Sequence, residues 1–174
     1  MQNYFISPDS HSYLPAGEAI IPNVQQLIAK FQEADRPVIY TTHVHNPDGS
    51  DAGIMGWWWG DMIREGKPEA EVYQAITPQA GDNVIKKHRY SAFYNTDLEI
   101  ILRCAYIKDL VICGVMTNLC CESTTRDAYY RDYRVFFPAD ATGAAYEEMH
   151  LATLMNLAYG FACITTTNKI IEGF

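Results

Sequence analysis

No apolar run in this 174-residue chain approaches the roughly 18 residues needed to cross a bilayer, and no basic segment leading into an apolar run opens it. Neither a membrane span nor a signal peptide is expected. Basic residues are scarce: 13 Lys and Arg stand against 21 Asp and Glu, a net charge of −8, which argues against nucleic acid and anionic membranes as partners. Cysteine pairing is also missing. Cys104, Cys113, Cys120, Cys121 and Cys163 are odd in number and show no CxxC spacing, so they read as reduced thiols of a cytoplasmic protein. The absence of GxGxxG and P-loop patterns disfavours nucleotide binding, and no cofactor is expected. No repeat, low-complexity tract or linker interrupts the chain. With 48% hydrophobic residues, 1–174 is expected to form one domain whose core needs neither disulfide nor metal.

What is present is an alternation of short apolar runs with helical patterns. Ile21, Val24, Leu27, Ile28 and Phe31 recur at helical spacing, and Pro22 suits a first turn, which predicts a helix over 22–34. Val38 to Thr42 is a strand pattern ending in His43-Val44-His45. Residues 46–66 read as a long tryptophan-rich loop of the kind used as a lid or binding loop. Further strands are expected at 83–86, 109–114, 135–138 and 161–165. Helices are expected from a Thr96 cap through Ala105, over the cysteines to about Arg131, and over 147–159. The alternation predicts an α/β fold: three layers, Rossmann-like, with a mostly parallel sheet and helices on both faces.

The chemistry is expected where the strand Leu110–Gly114 runs into Met116-Thr117-Asn118-Leu119-Cys120-Cys121. In an open α/β sheet, strand carboxyl ends face the ligand crevice, and a helix start offers N–H donors and partial positive charge, which favour a thiolate. Neighbours on a helix point roughly 100° apart, so only one of the two cysteines faces the crevice. Lys87, at the end of the 83–86 strand, can bring an ammonium to the same place, while Lys86 points to the opposite face. Amides near Met116 and Cys120 can supply oxyanion donors, and Gly114 permits unusual backbone. His43 and His45 share a face of an extended segment, but two ligands are fewer than a metal usually takes, so no metal is expected. Trp57-Trp58-Trp59 suits either a substrate pocket or a subunit interface.

Two motifs carry a resemblance. Gly114-Val115-Met116-Thr117-Asn118-Leu119-Cys120 leading into Thr124-Thr125-Arg126-Asp127-Ala128, together with Lys87-His88-Arg89-Tyr90-Ser91-Ala92-Phe93 before Thr96-Asp97-Leu98, resembles the isochorismatase-like cysteine hydrolases. That family includes nicotinamidases, N-carbamoylsarcosine amidohydrolases and ureidoacrylate amidohydrolases. The likeness runs over essentially the whole chain. It implies Cys120 as nucleophile, Lys87 as the triad lysine, a cis Val115–Met116 bond, and an oxyanion hole from the Met116 and Cys120 amides. It further implies hydrolysis of a small amide, carbamoyl or ureido C–N bond through a thioester. The alternatives are an isochorismatase-type ether hydrolase and an inactive binding or assembly protein. Substrate contacts are expected from His43, Trp58, Arg89, Phe93 and Thr117, and a homo-oligomer, dimer or tetramer, is expected.

Two departures follow from the same comparison. The family's triad aspartate ends a first strand just before a Met-Gln-Asn-x-Phe-like segment, which here begins at Met1; Asp9 lies downstream on the wrong side. The expectation is that upstream residues ending in Asp precede Met1. The nicotinamidases' Asp-x-His metal segment is replaced here by His43-Val44-His45, which separates the chain from metal and nicotinamide.

Overall fold

Every strand-to-strand ladder in the computed structural model, which describes residues 1–174, is parallel. The strands are β1 (Ile39–His43), β2 (Asn83–Lys87), β3 (Asp109–Val111), β4 (Gly114–Val115), β5 (Arg134–Pro138), β6 (Thr142–Gly143) and β7 (Cys163–Thr165). The helices are α1 (Asn3–Ile6), α2 (Pro15–Ala19), α3 (Ile21–Glu33), α4 (Ile54–Trp59), α5 (Leu98–Cys104), α6 (Glu122–Tyr129), α7 (Glu147–Gly160) and α8 (Thr167–Glu172). No helix is long and apolar enough to cross a membrane.

The two faces of β3 show why the fold has three layers. Side chains alternate along a strand, so Leu110 packs with Leu98, Leu102 and Ala128 of α5 and α6. Its neighbour Val111 packs on the other side with Val24 and Leu27 of α3 and Ile170 of α8. Beyond β5, Phe137 is fully buried with Leu157 of α7. The mixed α/β architecture read from the sequence is the one observed.

The sheet is discontinuous. One piece has the order β1-β2, another β3-β5-β7, and a small pair β4-β6 follows. The free edges of β1 and β3 face a cavity of about 930 Å³, lined by Ile39 and Thr41 from one and Leu110 from the other, with Leu27 and Leu102 closing it from the two helical layers. The first strand implied by the resemblance has no counterpart among residues 1–174.

Three local expectations are corrected. The strand expected over 109–114 stops at Val111 and resumes as β4, which pairs with β6 rather than with β5. Gly114 has φ +113, a conformation that side chains strongly disfavour, and turns the chain there. The loop over 46–66 contains α4, closed by Gly60 at φ +66. Residues 7–17, a Pro-, Ser- and His-rich stretch without periodicity that reads as a loop, run into α2, begun by Pro15 at the position where its missing N–H costs nothing.

Gln2 holds the end of β1 in place. Its Nε2 donates to the carbonyls of His43 (3.0 Å) and Ala70 (2.8 Å), and its Oε1 accepts from the His43 N–H (2.8 Å). One buried amide thus satisfies both backbone groups of His43. Gln2→Ala strands them, and a buried unpaired polar group costs about 1–3 kcal/mol. We expect the variant to lose roughly 2 kcal/mol in urea unfolding; a midpoint unchanged from wild type would show that the clamp does not matter.

Candidate active site

Parallel register sets the first two groups side by side. His43 and Lys87, the last residues of β1 and β2, are partners in the ladder. Lys86, one residue earlier, points away and pairs with Glu65 at the surface. Lys87 is only 2% exposed. A buried ammonium is costly unless its donors are met, and here there are three acceptors for three protons: the Arg89 carbonyl at 2.8 Å, Cys120 Sγ at 3.3 Å and His43 Nδ1 at 3.5 Å. None of the three is a carboxylate.

Cys120 reaches Lys87 from a tight turn rather than from a regular helix. The Val115–Met116 peptide bond is cis, and Thr117–Cys121 forms a π-type turn that precedes α6. The Met116 carbonyl accepts from the N–H groups of both Leu119 and Cys121, each at 3.2 Å, which closes the turn around Cys120. The Ala92 N–H donates to the Thr124 hydroxyl at 3.0 Å, tying α6 to the segment that follows Lys87. Cys120 is half-buried. Cys121 is buried against Phe137 and Leu157, and burial pushes its thiol far above the ordinary range. Burial also pushes the Cys113 thiol up to about 11. Cys104 and Cys163 are exposed.

The expected substrate contacts differ in their surroundings, and His43 and Phe93 line the same cavity as Lys87 and Cys120. Thr117 is fully buried, its hydroxyl 2.9 Å from His150 Nδ1, so it braces the turn. Phe93 is buried in the core, stacked on Tyr133 at 5.9 Å between centroids. His43 is buried with both ring nitrogens occupied, Nδ1 by Lys87 and Nε2 by His45 Nε2 at 3.0 Å. Burial, followed by the charge of Lys87, lowers the His43 pKa to about 3, so the ring is neutral. Trp58 is 66% exposed on α4. Arg89 is partly buried and donates to the carbonyls of His88 (2.6 Å) and Asp51 (3.3 Å).

One residue not singled out in the sequence, Asp51, joins the site. Asp51 Oδ1 lies 3.4 Å from His45 Nδ1, and Asp51 Oδ2 lies 3.1 Å from His88 Nδ1. Burial opposes its ionisation, but the Asn46 N–H and the two imidazoles hold the Asp51 carboxyl below its usual range. The spacing His45 to Asp51 was the only available signal, and it resembles no metal or triad pattern.

The Isochorismatase domain family model matches residues 1–169. Nicotinamidase 3 of Arabidopsis thaliana is 40% identical over 173 residues, covering 98% of this chain and 83% of that one. The crystal structure of a cysteine hydrolase from Pseudomonas syringae pv. phaseolicola 1448A aligns with a TM-score of 0.95 at 33% identity, over 99% of this chain and 87% of that chain. A pyrazinamidase of Pyrococcus horikoshii, solved in complex with zinc, aligns with a TM-score of 0.83 at 27% identity, over 95% of this chain and 94% of that chain.

The zinc of that neighbour sets a test for His45, Asp51 and His88, whose ligand-type atoms lie within 4.8 Å of one another. His88 Nδ1 is 2.6 Å from the Val44 carbonyl oxygen. A carbonyl only accepts, so that nitrogen carries a proton and has no lone pair to offer. The His88 Nε2 keeps its lone pair, so the three residues still offer two imidazoles and a carboxylate, the number of protein ligands a catalytic zinc takes, and His45 Nδ1 and Asp51 Oδ2 are both buried without a hydrogen-bond partner. The fold, the Lys87–Cys120 contact and the match over residues 1–169 agree, and the chain belongs to the isochorismatase family and is a hydrolase of that family.

Proposed function

We propose that this hydrolase cleaves the C–N bond of a small amide, carbamoyl or ureido compound through a thioester on Cys120. The observation that carries this reading is the 3.3 Å contact between Lys87 Nζ and Cys120 Sγ. An ammonium donating to sulfur stabilises the thiolate, which is the nucleophilic form. Attack on the carbonyl carbon forms a C–S bond and places negative charge on the carbonyl oxygen. The Met116 and Cys120 amides are the donors assigned to that charge. Collapse expels ammonia or an amine, which takes a proton from Lys87. Water then attacks the thioester, its proton returns to the lysine, and the acid leaves with Cys120 regenerated.

The relatives support an amide. A nicotinamidase at 40% identity and a pyrazinamidase structure at 27% are, by name, amide hydrolases. Trp58, exposed on α4, and the partly buried Arg89 are assigned as substrate contacts, with His43 and Phe93 lining the same cavity as Lys87 and Cys120. The exposed Trp57 at the same helix suits an interface between copies in a homo-oligomer.

Two outcomes follow. Ammonia release across a panel of amides, carbamoyl amino acids and ureido acids is expected to single out at least one substrate. Cys120→Ala should then lose about a thousandfold or more in kcat/KM; comparable rates in the variant would remove the nucleophile. Second, a thiol reacts through its thiolate, and a raised pKa leaves little thiolate at neutral pH. Brief alkylation near neutral pH followed by peptide mass mapping should therefore label Cys120 ahead of the exposed Cys104 and Cys163. Cys113 and Cys121 should stay unlabelled until the protein is unfolded, and equal labelling of Cys120 and Cys104 would contradict activation.

A further inference from the structure

Two buried polar atoms stand side by side without partners. His45 is 1% exposed and its Nδ1 makes no hydrogen bond, and Asp51 Oδ2 is likewise buried and unpaired. His45 Nδ1 lies 3.4 Å from Asp51 Oδ1, yet no hydrogen bond joins them. Leaving buried polar atoms unpaired is costly, and a bound ion or water is what usually meets them. We propose that His45 Nδ1, the Asp51 carboxylate and His88 Nε2 bind one divalent transition-metal ion of the zinc type. The inference goes beyond the hydrolysis proposed above and does not rest on Cys120 as nucleophile.

The donor set suits such an ion. Imidazole and carboxylate bind zinc at about 2.0–2.2 Å, so two of them on one tetrahedral ion stand roughly 3.3 Å apart. The 3.4 Å between His45 and Asp51 matches that separation. A water could bridge these two, but it gives no account of the third residue: ligand-type atoms of His45, Asp51 and His88 all lie within 4.8 Å of one another. His88 Nδ1, 2.6 Å from the Val44 carbonyl oxygen, carries that ring's proton and leaves Nε2 bare. The Asn46 N–H donates to Asp51 Oδ1 at 2.9 Å. Outer hydrogen bonds of this kind orient metal-binding side chains. His88 is half-exposed, which gives an ion a way in. Three protein ligands leave a fourth position for water or a lone pair of a substrate.

The set is this chain's own. His43-Val44-His45 stands in place of Asp-x-His, and His43 is not a ligand, because its ring faces Lys87 on one side and His45 on the other. The carboxylate comes instead from Asp51 in the following loop, and the third ligand is the residue directly after Lys87. Counting the two histidines of the strand end alone left the site short of ligands for this reason. A bare His45 Nδ1 puts that ring's proton on Nε2, 3.0 Å from His43 Nε2. A metal-bound imidazole almost always donates its other N–H to such a partner. His43 then carries its proton on Nδ1, towards Lys87, so with the ion bound the lysine keeps the Arg89 carbonyl and the Cys120 sulfur as acceptors.

The test adds Zn²⁺ or Co²⁺ to the whole protein after a chelator has stripped it. Elemental analysis after gel filtration should find one equivalent of zinc, and the cobalt form should show visible absorption without a thiolate charge-transfer band. Asp51→Asn and His88→Asn should each weaken zinc binding by about a hundredfold in competition with a coloured chelator. The second of these keeps an N–H donor for the Val44 carbonyl. His11→Ala, which removes an exposed histidine paired with Asp61, and Cys120→Ala should bind zinc as wild type does. No retained zinc overturns the inference and leaves a bridging water as the partner of the two buried atoms. Equal affinity in wild type and both variants also overturns it, as does a charge-transfer band that Cys120→Ser abolishes, which would put the ion on the reactive sulfur. Where a variant fails to fold, the wild type decides. Long-range proton–nitrogen correlation spectra of the isotope-labelled, zinc-loaded protein should show His45 protonated at Nε2 and His88 at Nδ1, and a proton on His45 Nδ1 with one equivalent of zinc bound overturns the inference.

Discussion

A lysine ammonium that is almost wholly buried is the constraint on which this site depends. Lys87 has three donors and no solvent, so three acceptors must be brought to it: the Arg89 carbonyl, the Cys120 sulfur and His43 Nδ1. Each comes from a different part of the fold. Arg89 lies two residues along the same chain, His43 is the ladder partner on β1, and Cys120 sits on a turn formed after β4. Each acceptor offsets part of the cost of burying the charge. The same need makes the sulfur a favourable place for negative charge.

The surrounding structure can be understood as support for that convergence. Gln2 fixes the backbone of His43, Thr124 ties α6 to the segment after Lys87, and Thr117 with His150 braces the turn from below. His45 Nε2 faces His43 Nε2 at 3.0 Å. The cavity between β1 and β3 borders Lys87, His43 and Cys120.

Much of this was legible in the amino-acid order. Strand-to-helix alternation gave the layers, and the resemblance of the Lys87 and Cys120 motifs to the family implied that the two groups meet. Cys121 was rightly set apart from Cys120 by the angle between neighbours, and it packs on Phe137 and Leu157. Other features were not legible for physical reasons. The break of the strand at Gly114 depends on a backbone angle that the apolar run around it conceals. The partnership of Asp51 with His45 and His88 joins a loop to two strand ends, and no periodicity encodes such a contact. His43 and Thr117 looked available to substrate because their burial depends on tertiary packing rather than on local pattern.

The central claim is that Lys87 holds Cys120 as a thiolate. Thiolate ultraviolet absorbance measures this directly, as the difference between wild type and Cys120→Ser followed through a pH titration of the folded protein. The account expects a Cys120-dependent thiolate signal already present at neutral pH and lost in Lys87→Met. A difference signal absent at neutral pH, or one that survives in Lys87→Met, would contradict it.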